Sequence, residues 1–416
     1  MSVGVEEPAL PWPVRAMNAL GRPVAPRLLS LDPDDLVRAA RRRTRLDDLG
    51  DDRFREPLRT LTRALEDEAR LTVLGRVAAR AQLTGLLATR LRVEDLLRRR
   101  PAILGERVVA PIVVVGMPRT GTTMLHRLLA ADPGLRSLPY WEALNPLPPG
   151  DATVVPPPPD PRIRTAERSL AVLHWCAPAM LAMHEMAARA PDEEIWLLAI
   201  DFATMLFEAS YRVPSFAAWY DAHDQTPGYR WLRRMLQVLQ WYRRGDRWVL
   251  KSPQHLGQLG PLRAVFPDAV VVQTHRDPVK VVASFASMTS YGARMNTDAV
   301  DPPAIAAHWL GRIETLLRRS AEDRPADGAR FVDVRFDELM RDPLAVVRRI
   351  YAVADRPLTP AAEQAMRAWL AANPRAKHGA HVYRLSDFAL DAADVRRRFA
   401  AYVARFDVPS EEGAAA

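Results

Sequence analysis

The chain has 416 residues, 48% apolar and 26% charged, which excludes a miniprotein, a disordered chain and a collagen-like one and leaves room for two or three domains. Lys and Arg outnumber Asp and Glu, 58 to 50, so the surface favours anionic partners without implying nucleic acid. A single cysteine, Cys176, excludes an intrachain disulfide framework and a cysteine zinc cage.

The first residues lack the basic and apolar regions of a secretory signal. No apolar run reaches the roughly 18 residues that span a bilayer, so a cytoplasmic protein with no transmembrane segment is expected. From Asp32 to Arg99, apolar residues recur at helical spacing, as in Leu58, Leu61, Leu65 and Leu83, Leu87, Leu91, which predicts two or three amphipathic helices. Asp32-Pro33 reads as a capped helix start with proline at the first helical position. The arginine runs 41–43 and 98–100 carry no interleaved aromatics; they read as solvated helix faces, and no nucleic-acid partner is expected.

At Val108 the pattern changes to a β-branched run through Val115, followed at once by a glycine turn and a helical pattern from Thr123 to Ala131. Asn145 to Pro161 holds eight prolines in seventeen residues and predicts a rigid, extended loop. Residues 164–243 read as mostly helical. Further strands are expected at Trp248–Leu250, Ala269–Thr274 and Phe331–Val334, with a helix from Pro278. Strands alternating with helices predict an α/β fold with a parallel sheet.

Gly116-Met-Pro-Arg-Thr-Gly-Thr-Thr123 stands where a strand ends and a helix begins. Its glycines let the backbone wrap an anion, and the N–H groups opening the helix point at it. The spacing matches the loop of phosphate-loop NTPases, but Thr122 stands where they carry lysine, and the cation has moved to Arg119. In Thr274-His-Arg-Asp, Arg276 follows a predicted strand, where open α/β sheets bind ligands, and Ser284 lies eight residues on. The protein-kinase reading of His-Arg-Asp fails at Val282, where asparagine is required. Only three of the 58 basic residues are lysines, Lys251, Lys280 and Lys377, which marks them for places needing a compact ammonium. His184 to Glu194 is dense in polar groups, and its Glu-rich part reads either as acceptor-binding or as capping the following helix, with capping favoured for Asp192 and Glu193; His184 and Glu185 are candidate acceptor contacts. No metal-ligand spacing occurs, and no metal is expected.

Taken in order, Pro118-Arg-Thr-Gly-Thr-Thr123, Lys251-Ser-Pro253 and the Arg276…Ser284 pair make the chain resemble the sulfotransferases that use 3′-phosphoadenosine 5′-phosphosulfate (PAPS), over roughly Val108 to Asp342. The resemblance implies a P-loop-like parallel sheet flanked by helices, in three parts. These are an N-terminal helical region over 1–105, the α/β domain over 106–360 with a helical insertion at about 162–245, and a C-terminal helix with a cofactor-closing loop over 361–416. It further implies that Arg119, Thr120, Gly121, Thr122 and Thr123 hold the 5′-phosphosulfate, that Arg276 and Ser284 hold the 3′-phosphate, and that Lys377 belongs to a basic loop over the nucleotide. Lys251 would reach the bridging oxygen and the transferring group. Two residues compete as base. Many relatives carry a histidine two residues after the lysine, where Pro253 stands here, with His255 two residues later; the tyrosylprotein branch uses a glutamate soon after the first helix, to which Glu142 corresponds. The acceptor would be a hydroxyl or amine of a small molecule, lipid or glycan. The competing readings are a P-loop kinase or NTPase, which lacks the Walker lysine and an evident magnesium-holding aspartate, and a non-catalytic basic nucleotide-binding protein.

Overall fold

The computed structural model describes residues 10–374 and 384–411. The β-branched run enters the sheet later than its composition suggests. Ala110 has φ of +42° and Pro111 offers no N–H, so the first strand, β1, spans Ile112–Gly116. With β2 (Leu135–Arg136), β3 (Arg247–Lys251), β4 (Val270–His275) and β5 (Phe331–Arg335) it forms one sheet of order β2-β3-β1-β4-β5, parallel throughout. Two residues of β2 pairing Arg247 and Trp248 leave no periodicity to read, and this strand was not expected.

Being central, β1 is buried on both faces. Its side chains alternate: Ile112 and Val114 join Val249, Val270 and Val272 in one core, Val113 and Val115 join Leu250 and Val271 in the other. Helices Thr122–Leu129 and Pro343–Val353 cover the first face, Thr226–Tyr242 and Pro302–Asp323 the second. Register then positions the site, because Val114 pairs Lys251 and Gly116 pairs Thr274, so three strands deliver their carboxyl ends side by side.

Three amphipathic helices, Pro33–Thr44, Arg55–Asp67 and Val73–Arg99, precede the sheet. Asp32 caps the first by accepting from the N–H groups of Asp34 and Asp35. Before them lie a helix at Trp12–Gly21 and a turn of helix at Ala25–Leu28, unread in the sequence. Leu36, Leu61, Leu83 and Leu91 share a further core with Phe202, Phe207 and Phe216 of the insertion. Residues 145–160 contain neither helix nor strand. Among the described residues no helix is long and apolar enough to cross a membrane.

Candidate active site

Where β1 ends, a Cβ on Gly116 would lie 2.1 Å from Thr274 Oγ1 and 3.0 Å from Thr120 Oγ1. Glycine is what lets those hydroxyls meet, 2.6 Å apart, while Thr120 donates to the Met117 carbonyl at 2.6 Å. Thr120 is fully buried; its hydroxyl shapes the loop, which leaves its backbone N–H for an anion. Arg119 and Gly121 both adopt left-handed backbone, φ +70° and +88°. For Arg119 that conformation costs about 1–3 kcal/mol, offset by anchoring at both ends of the residue. Arg276 Nη1 donates to its carbonyl at 2.8 Å, and its own guanidinium donates to Ser284 Oγ at 3.1 Å and to the Met183 carbonyl at 2.8 Å. Thr122 and Thr123 open the helix that follows, whose first N–H groups lack intrahelical acceptors and point back toward the loop.

Arg276, just past β4, lies 3.9 Å from the Phe336 ring centroid and donates through Nε and Nη2 to the two carboxylate oxygens of Glu411, at 2.7 and 2.8 Å. A planar fork already carrying a two-oxygen anion has the donor set a phosphate requires. Ser284 sits in helix Pro278–Ala293, capped by Asp277, whose second oxygen accepts from the Glu411 N–H at 2.9 Å. The two segments singled out in the sequence thus meet at Arg119.

Lys251, nearly buried at the end of β3, pairs through Nζ with Glu193, and its backbone N–H donates to Glu194 Oε2 at 3.0 Å. The other oxygen of Glu194 bonds His255 Nε2, while His255 Nδ1 lies 2.6 Å from the Tyr229 hydroxyl. His255, Glu194 and Tyr229 are all fully buried. Burial raises the pKa of Glu193, and Asp192 adds to the rise against the pull of Lys251. Nearby His184 has its pKa driven down to about 3 by burial and by the cations Lys251, Arg119 and Arg127. Arg127 holds the neighbouring Glu185 through its carboxylate and its carbonyl, each at 2.8 Å.

Sequence expectations change here at Glu142, His255 and Glu193. Glu142 is buried with its carboxylate oxygens engaged by Arg136 at 2.7 Å and Arg243 at 3.1 and 3.3 Å; it is a brace between guanidinium groups with no open oxygen to take a substrate proton. His255 has both ring nitrogens occupied and no surface, so it is no better placed as base. Glu193 does not cap the following helix, Ile195–Ala199, which lacks any side-chain cap; it reaches Lys251 instead. Only Asp192 stays local, accepting from the Glu193 N–H at 2.8 Å and from Trp196 Nε1 at 3.3 Å. Lys377 lies outside the described residues. Sequence reasoning placed Glu194 in a polar stretch but did not foresee its contacts with Lys251 and His255. Its signal was three adjacent acids at 192–194 with no basic residue through Met205 to pair them locally. No group of three or more His, Cys, Asp or Glu side chains among the described residues is set to hold a metal.

Comparison with known proteins places the chain by sequence and by fold. The model of the sulfotransferase family matches residues 111–360. The crystal structure of sulfotransferase STF1 from Mycobacterium tuberculosis H37Rv is 35% identical, with a TM-score of 0.78 over 89% of this chain and 98% of that one. Sulfotransferase STF9 from Mycobacterium avium is 30% identical, with a TM-score of 0.82 over 91% and 97% of the two chains. A curated relative, the omega-hydroxy-beta-dihydromenaquinone-9 sulfotransferase Stf3 of Mycobacterium bovis, is 26% identical over 275 residues, 60% of this chain. The match spans 64% of that relative's length, just under two thirds.

Proposed function

The chain belongs to the sulfotransferase family, and from that premise we propose that it moves a sulfuryl group from PAPS to a hydroxyl of a small-molecule or lipid acceptor. The observation that carries this reading is the junction at Arg119, whose carbonyl holds Arg276 and whose guanidinium holds Ser284. One loop residue ties a phosphate-type turn to a second anion fork, which suits a nucleotide phosphorylated at both 5′ and 3′ positions. That the fork already carries a carboxylate, Glu411, supports its fit to the 3′-phosphate. A hydroxylated lipid as acceptor is supported by the name of the Stf3 relative.

When bound, the donor supplies an activated sulfuryl group on a good leaving phosphate. In transfer, the acceptor oxygen forms a bond to sulfur, the bond from sulfur to the bridging oxygen breaks, and its electron pair stays on the phosphate. Arg119 and Lys251 offset the charge growing on that oxygen. Glu193 takes the acceptor proton; burial has raised its affinity for one, and it touches Lys251, so base and leaving-group cation share one place. Glu194, His255 and Tyr229 hold the end of β3 from behind.

Thermal shift with the desulfated product, 3′-phosphoadenosine 5′-phosphate (PAP), tests the donor. At a hundredfold excess over Kd a ligand stabilises by about 2.7 kcal/mol. PAP should raise Tm while ADP and ATP with magnesium leave it almost unchanged, and Arg276→Ala should erase the preference for PAP. Stabilisation by ATP with magnesium alone would point to the NTPase reading instead. Transfer of labelled sulfate from PAPS to a component of a lipid extract then identifies the acceptor.

A further inference from the structure

Helix Trp12–Gly21 is amphipathic the wrong way round for a helix facing water. Its inner side is Val14, buried, Asn18, whose Oδ1 accepts from the Leu74 N–H at 2.9 Å, and Gly21, against Val73. Its outer side carries Trp12, 73% exposed, and Leu20, 82% exposed, with Ala16 between them. The spacing of four continues past the turn at Pro23 into Val24 and Leu28, 49% and 73% exposed. Trp12, Leu20, Val24 and Leu28 thus expose four large apolar side chains along one short segment, Trp12–Leu28.

Charge settles what such a segment suits. Residues 10–31 contain no Asp or Glu and three arginines, Arg15, Arg22 and Arg27, all exposed, and none forms an ion pair among the described residues. Elsewhere many arginines stand in ion pairs, as Arg53 does with Asp51 and Arg367 with Glu363. An acid-free stretch that carries exposed arginines beside exposed Trp and Leu matches the composition of helices that lie in a membrane interface. A second protein chain would be expected to meet the segment with acids; a bilayer meets it with acyl chains below and anionic headgroups around it.

We propose that Trp12–Leu28 docks this protein on an anionic lipid surface, with Trp12, Leu20, Val24 and Leu28 entering the headgroup region and Arg15, Arg22 and Arg27 meeting its phosphates. The docking does not depend on sulfuryl transfer, so its failure and that of the proposed reaction are separable. Sedimentation of the full chain with vesicles of phosphatidylcholine, alone or with about 30% phosphatidylglycerol, tests it. Binding is expected only to the mixed vesicles and should weaken with salt. Leu20→Glu/Leu28→Glu and Arg15→Glu/Arg22→Glu/Arg27→Glu should each lower bound protein by about tenfold or more, with PAP-induced stabilisation unchanged to show that both still fold. Wild-type protein left in the supernatant, or variants that sediment like it, would overturn the proposal. So would a dimer that Leu20→Glu/Leu28→Glu dissolves without any vesicle binding, since a second copy would then cover the segment.

Discussion

At the scale of single residues, Lys251 and Glu193 make opposite demands on one contact. The lysine needs a carboxylate close by to stay fixed in a nearly dry position, and the carboxylate must still be able to accept a proton. If Lys251 acts as proposed, replacing it by Ala should lower turnover far more than PAP affinity, because the charge it would answer appears only as the bridging bond breaks; equal losses in kcat and in PAP binding would remove it from the transfer step. Glu193→Gln keeps the shape of the contact and abolishes the base. Turnover should fall by about 10²–10⁴, with PAP affinity nearly kept. The wild-type rate should fall as pH drops through the raised Glu193 pKa, and that acid limb should vanish in the variant. The pairing was invisible in the sequence because the partners are 58 residues apart, and three adjacent acids before an apolar helix have the same local look as caps. Arg276 and Ser284 were legible for the opposite reason: a strand end and the helix after it fix their relation within nine residues.

At the scale of elements, the loop after β1 is set by register as much as by its own residues. Because Gly116 pairs Thr274, a methyl at Gly116 would press on a hydroxyl that already holds Thr120. Gly116→Ala should therefore cost about 1–3 kcal/mol, read as a lower Tm, and should reduce PAP affinity as the loop shifts. Unchanged PAP affinity would mean that the loop is not what the anion meets. β1, β3 and β4 were legible because each is a β-branched or apolar run bounded by a turn, the composition of strands buried on both faces, while β5 alternates buried Val332 and Val334 with exposed Asp333. β2, at two residues, owes its pairing to β3 alone. The N-terminal helix escaped notice because its exposed side is apolar and its buried side contains Asn18 and Gly21, which reverses the pattern by which helices are recognised. Glu142 failed as a base for a comparable reason: spacing along the chain placed it near the first helix, but two arginines, six and 101 residues away, decide what its oxygens do.

At the scale of the whole molecule, buried imidazoles such as His126 and His275 make stability depend on pH. His126 lies in the helix after the loop, fully buried, its Nε2 3.4 Å from the Val249 carbonyl. Burial, with Lys251 adding to it, drives its pKa from 6.5 down to about 3. In the unfolded chain the same ring takes a proton near its ordinary pKa. Between those values the unfolded state binds the extra proton, so this contribution is whole above about pH 6.5 and is lost as pH falls toward 3, at no more than about 1.4 kcal/mol per pH unit. His184 and His275 are shifted in the same direction and steepen the loss. Buried acids act the other way: burial pushes Asp201 up to about 6, so the native state takes up its proton earlier and the fall with pH is partly offset. The sum alone would not isolate one group, whereas a difference between variants does. His126→Leu removes a titrating ring from an apolar position, so its unfolding free energy, followed by denaturant between pH 7 and 5, should fall less steeply than that of the wild type by up to about 1.4 kcal/mol per pH unit. Parallel curves for the two proteins would mean that His126 binds its proton equally well in the native and unfolded states, so that burial beside Lys251 does not depress it.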